Sequence, residues 1–263
     1  MSNKKLLLAT FSWLSLLAVT NQSLTVEAET TGFDTNGKVK VQASDTTKPL
    51  DPENPLTPVD PGESPSTEGE LRIDFVSAIN FADTTITKSD RKYPSLAQLF
   101  HTETPARASY VQVTDLREGS PGWNLQLKQE TQFKNGDNIE LSGATLSFDK
   151  GWANSGGLGT APAMFRDTIS IDEIGNNYQV ASAAKGAGQG TWLLSFGASS
   201  DNQLGQENSL TLLKDASGKT VLDSTFNKEL YTNSAINLTI PDKTSIIPGR
   251  YQTELTWSLQ ATP

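Results

Sequence analysis

From residue 71 to the end of the chain, short alternating or apolar runs recur between turn residues. They lie at 71–76, 109–114, 123–129, 138–148, 167–171, 178–183, 191–196, 209–213, 235–240 and 251–259. Alternation with a period of two marks a strand with one buried face. The last run shows it most clearly: Tyr251, Thr253, Leu255, Trp257 and Leu259 share one parity, and Gln252, Glu254, Thr256, Ser258 and Gln260 the other. The run at 123–129 places Trp123, Leu125 and Leu127 on one parity, and the two runs are expected to pair as strands. Asn135-Gly136 and the stretch Asp215-Ala216-Ser217-Gly218 separate neighbouring runs and predict two antiparallel hairpins. Only 94–100, PSLAQLF, reads as a helix, of about two turns. Ten runs are more than one open sheet usually carries, so residues 71–263 are expected to form one all-β domain, an antiparallel β-sandwich-like body of two packed sheets.

Upstream the pattern changes. Lys4 and Lys5 precede an apolar core from Leu6 to Val19, and Val26-Glu27-Ala28 offers a small-residue cleavage pattern, so residues 1–28 read as a secretory signal peptide. That core is short for a membrane span and no later stretch is long enough, so no transmembrane anchor is expected. Residues 29–48 hold an Asn36-Gly37 turn followed by Val39 and Val41 alternating with Lys38 and Lys40, which predicts one short strand. Pro49, Pro52, Pro55, Pro58 and Pro61 then recur every third residue, the repeat of a polyproline II helix. Between Pro49 and Glu70 six carboxylates stand with no Lys or Arg, so residues 49–70 are expected to be a disordered, solvated Pro/acidic spacer. No LPxTG sequence occurs, so covalent wall anchoring is not indicated.

Charge and residue usage narrow the chemistry. The chain carries −9; residues 1–28 hold Lys4 and Lys5 against Glu27, so their removal leaves −10. An acidic protein gains nothing from releasing counterions at phosphates, which disfavours nucleic acid, anionic lipid and teichoic acids as partners. With no cysteine the fold must hold by burial alone. His101 is the only histidine, in a loop-like stretch and without a Gly-x-Ser-x-Gly elbow, so a serine triad and a zinc site both lack their usual residues. Asp115 with Glu118, or Asp172 with Glu173, are the carboxylate pairs a glycan-processing enzyme on a β-sandwich would need, although solvated turn charges are the simpler reading. Neither Asp137-Asn138 nor Asp172-Glu173 has the spacing of a calcium loop, and no metal or cofactor is expected. The glycine-rich stretches 151–159 and 186–190 open no helix and precede no Lys-Ser or Lys-Thr, so they are expected to be loops, not phosphate cradles. Trp152, an aromatic among glycines, is a candidate platform for a sugar ring or a protein anchor; the alternative is that its indole folds over the core.

The stretch YVQVTDLREGSPGWNLQLKQ at 110–129 and the terminal LTWSLQATP resemble the WxL domain, a surface module of Gram-positive bacteria. The order of the two Trp-x-Leu motifs, the terminal position of the second and the signal-plus-spacer layout all agree with that family. The resemblance implies a secreted, non-catalytic protein at the cell surface, attached non-covalently to the wall. Its partners would be peptidoglycan or other surface proteins of a multiprotein complex. It also maps the motif residues onto Trp123, Leu125, Trp257 and Leu259. These are candidate ligand contacts or core; their shared parity within amphipathic strands favours the core.

Overall fold

The computed structural model describes residues 47–165 and 167–262. The predicted signal peptide, and all but the last two residues of the predicted N-terminal strand segment, lie outside them. Strands form where the alternating runs lie, because a pleated ribbon sends successive side chains to opposite faces. They build three main antiparallel sheets. One has the order β3-β5-β12-β8, from Leu71–Val76, Ser109–Asp115, Gly190–Phe196 and Gly151–Asn154. A second has the order β17-β6-β11-β9, from Leu255–Ala261, Trp123–Gln129, Asn177–Ala183 and Ala163–Met164. The third runs β10-β7-β16-β13, from Ile169–Ile171, Thr145–Phe148, Tyr231–Thr239 and Leu210–Leu212, with β4 (Lys92–Leu96) also paired to β16. Two small hairpins complete the set: β1 (Leu50–Asp51) with β2 (Asn54–Pro58), and β14 (Leu222–Asp223) with β15 (Lys228–Glu229).

The all-β antiparallel fold is therefore as the alternation predicts, but three sheets close on one core where two were expected. Val111 and Val113 of the first sheet, Leu125 and Leu127 of the second, and Leu146 and Ile236 of the third belong to one buried cluster. An aromatic trio marks the junction, with one ring from each sheet. Phe148 meets Phe196 at 5.2 Å between ring centres, and each lies 6.3 Å from Trp257. Both predicted turns form: Asn135 N–H donates to Ile139 O, and Asp215 N–H donates to Lys219 O.

Two expectations fail. Residues 92–96 are strand β4, not the start of a helix, and Pro94 stands opposite Asn237 beside a register shift in β16. A proline lacks the N–H a regular ladder needs and is tolerated at such irregularities; pairing with β16 overrides the local helical pattern. The larger correction concerns the spacer. Residues 49–61 do not stand off in solvent; they cross the outer face of the β3-β5-β12-β8 sheet as a strap. Leu50 and Val59 pack with Phe75, Phe100, Tyr110 and Leu193. Leu50 N–H donates to Gln112 Oε1 at 2.9 Å, and the Gln112 amide returns a bond to Lys48 O at 3.1 Å. Composition counted six mutually repelling carboxylates, yet two of them, Asp51 and Glu53, meet a buried arginine from elsewhere in the chain. Polyproline periodicity and acidity therefore described the local chain without its partner.

Tyr110 lies beneath that strap, 1% exposed, and its hydroxyl has no hydrogen-bond partner among the described residues. Burial, and then the negative charge of Asp51, push the phenol well above its ordinary 10.0. The sign follows: the unfolded phenol ionises above about 10 while the folded one keeps its proton, so this contribution is complete below the unfolded value and is lost as the pH rises beyond it. Tyr110→Phe removes an unsatisfied buried hydroxyl, so it is expected to raise stability by about 1 kcal/mol at neutral pH and to flatten the alkaline loss. Thermal melts across an alkaline pH series check both.

Candidate functional site

The two Trp-x-Leu motifs lie side by side. In the β6–β17 ladder Trp257 stands opposite Leu127, Leu259 opposite Leu125, and Ala261 opposite Trp123, in unbroken register. All three β6 residues are fully buried. Across the ladder Leu255, Trp257 and Leu259 are only half-buried, although they pack on the same core. The Trp123 indole N–H donates to Gly188 O at 3.1 Å. Gly188 has φ +70°, and a Cβ there would lie 2.5 Å from the Ala183 Cβ and 2.7 Å from the Trp123 Nε1. The glycines at 186–190 thus let the backbone close over an indole. On the outer face, Thr256 Oγ1–H donates to Glu130 Oε1 at 2.5 Å and Lys128 sits 2.8 Å from the same oxygen. Those two bonds, that of Lys128 first, hold the Glu130 carboxyl below its usual range.

Trp152 is not an exposed platform. Its stretch is strand β8, its side chain is 8% exposed, and its indole N–H donates to Gly197 O at 2.7 Å. Among the described residues Trp192 is buried as well, while Trp257, Tyr93, Tyr178, Tyr231 and Tyr251 are half-buried. None of the described Trp or Tyr side chains is fully exposed.

The residues weighed for catalysis sit in structural roles. Asp115 is fully buried and takes two bonds from the Arg117 guanidinium, both at 2.8 Å, and one from the Arg117 N–H at 3.1 Å. Glu118 is exposed in the following turn. Asp172 accepts the Tyr178 hydroxyl at 2.8 Å, and Glu173 accepts a bond from the Asn176 amide. His101 is exposed with its ring stacked on Phe226 at 4.5 Å. No group of three His, Cys, Asp or Glu is placed to hold a metal ion among the described residues.

A buried ionic centre went unread in the sequence. Arg107 clasps Asp51 with Nε and Nη2 at 2.8 and 3.0 Å, reaches Glu53 at 3.6 Å, and donates to Ser199 Oγ at 3.0 Å. Ser199 in turn donates its N–H and its hydroxyl to Glu53, both at 2.7 Å. Burial alone would depress the guanidinium, but the Asp51 bond and the charges of Asp51, Glu53 and Asp201 together raise it above its ordinary value. No local spacing signals this centre, because Asp51 and Arg107 lie 56 positions apart. Arg72 and Asp74, two apart on one strand face and 2.8 Å from each other, carried a readable signal.

The chain matches the WxL domain surface cell wall-binding family over residues 28–263 and belongs to it. Neither the curated proteins nor the solved structures provide a match. The family places the chain at the cell surface as a wall-binding protein, and among the described residues no helix is long and apolar enough to cross a membrane.

Proposed function

We propose that this protein is a non-catalytic component of a Gram-positive surface complex, exported by the signal peptide at 1–28 and held non-covalently on peptidoglycan. The observation that carries this reading is the extent of the family match, which takes in nearly all of the chain. Two further features support it. The candidate carboxylates Asp115 and Asp172 are engaged in structural bonds, with Arg117 and with Tyr178. The net charge of −9 turns the protein away from wall polyanions and toward neutral glycan, peptide stems or protein.

Co-sedimentation of the chain from Glu29 to Pro263 with peptidoglycan of its own host, before and after the wall is stripped of proteins, tests the reading. Binding that survives stripping is the expected result. Binding lost with the wall proteins would make the attachment indirect, and release of sugar or peptide from the wall would overturn the non-catalytic assignment.

A further inference from the structure

A cleft of about 140 Å³ opens between the end of the strap, the β3–β4 connection and the β14–β15 hairpin. Its walls are largely apolar: Phe75 and Leu99 are buried, and Leu96, Phe226 and Leu230 half-buried. Three successive backbone donors along it are already used. Leu96 N–H donates to Asn80 O at 2.7 Å, Ala97 N–H to Tyr231 O at 2.8 Å, and Gln98 N–H to Arg107 O at 2.8 Å. The Gln98 amide is turned to Leu99 O, also at 2.7 Å. Sugar hydroxyls, which lose free energy when desolvated without partners, would find few donors here.

Two carboxylates line the same cleft, Glu63 and Asp223, and among the described residues no Lys or Arg does. Asp223 Oδ1 accepts the N–H groups of Thr225 and Phe226, at 2.8 and 2.9 Å, which leaves Oδ2 without a partner among the described residues. Glu63 is exposed, with no ion pair or hydrogen bond to its side chain among the described residues. Lys228, the cation of the hairpin, is turned instead to the carbonyls of Thr102 and Thr104. The acids Asp51, Asp74 and Asp115 are each taken up by an arginine; these two are not used by the fold.

Size and lining together define an occupant. Pockets that take a whole small molecule measure about 300 to 1,000 Å³, so this one suits a single side chain of a larger ligand. A lysine-type side chain lays its methylenes on apolar surface and keeps its ammonium at a wet rim. We infer that the cleft receives the side-chain ammonium of a wall peptide stem, its methylenes against Leu96, Leu99 and Phe226 and its charge beside Glu63 and Asp223. Resting on the wall attachment proposed above, this assigns recognition to the amine-bearing peptide instead of the neutral glycan. The net charge of −9 adds attraction for a cation at longer range.

Asp223→Asn keeps the Oδ1 acceptor for Thr225 and Phe226, and Glu63→Gln alters an exposed side chain, so the double variant is expected to melt with the parent. The secreted full chain is offered protein-stripped peptidoglycan of its host, with the free amino groups either intact or acetylated. Acetylation is expected to weaken binding of the parent by about fivefold to tenfold, and the double variant binds both walls alike at the weaker level. Nα-acetyl-lysine amide, and not its norleucine counterpart, shifts the amide NMR signals of Ala97 and Leu99 in the parent only. A parent that binds intact and acetylated walls equally, or whose Ala97 and Leu99 signals ignore the lysine probe, overturns the inference and leaves the wall attachment standing. Failure to bind the stripped wall removes direct attachment itself. If the lysine probe still shifts Leu99 in that case, the cleft belongs to a lysine of a protein partner, and the peptide-stem assignment falls.

Discussion

Trp123→Ala is expected to bring the domain close to unfolding, with a loss of about 3 to 5 kcal/mol from the cavity alone. The indole is fully buried and has packed neighbours on all sides. Its N–H also satisfies the Gly188 carbonyl, and leaving that acceptor without a partner adds about 1 kcal/mol. Against a total of about 5 to 15 kcal/mol for a domain, this is a large share, equivalent to a fall of about 10 to 20 °C in Tm. Trp257→Ala is expected to cost about half as much. Its ring bridges Phe148 and Phe196 but is only half-buried. Thermal melts of the two variants, followed by near-ultraviolet circular dichroism, should therefore rank Trp123 above Trp257. A Trp123→Ala protein that melts with the parent yet no longer sediments with the wall would turn the motif from core into contact.

How far the sequence carried can be judged element by element. Strands β5, β6, β11, β12 and β17 lie where runs of six to nine residues placed them; β6 alternates buried and half-buried positions along its whole length, while β5 is buried on both faces and β17 is at most half-buried. The pairing of the two Trp-x-Leu strands was legible as well. What local pattern could not supply was the partner of a charged segment. The strap at 49–61 reads as a solvated spacer until Arg107 is set beside Asp51, and only the folded chain does that. Trp152 among its glycines left two readings open, an exposed platform or an indole folded over the core; Gly151 opens a strand whose indole faces inward.

The same strap yields the second large effect. Arg107→Ala leaves the Asp51 and Glu53 carboxylates in a buried site with no counter-charge, and removing one member of such a pair costs about 3 to 5 kcal/mol. The loss should be concentrated on the strap, because the hairpin of β1 and β2 has little else of its own: its ladder joins Leu50 to Pro58 and Asp51 to Asn54. Opening it uncovers Phe75, Tyr110 and Leu193, so the strap and the sheet beneath it are coupled, and part of the cost appears as a lower Tm. Limited digestion with a glutamate-specific protease reads the local part directly, since the Glu53 side chain is buried in the parent. At about 3 kcal/mol, cleavage after Glu53 is expected to quicken by about a hundredfold. Arg107→Lys keeps the charge but cannot span both Asp51 oxygens as a planar fork, so it should fall between the two. If Arg107→Ala is cut no faster than the parent, the strap is held by the apolar contacts of Leu50 and Val59, and the ionic centre follows from the fold instead of fastening it.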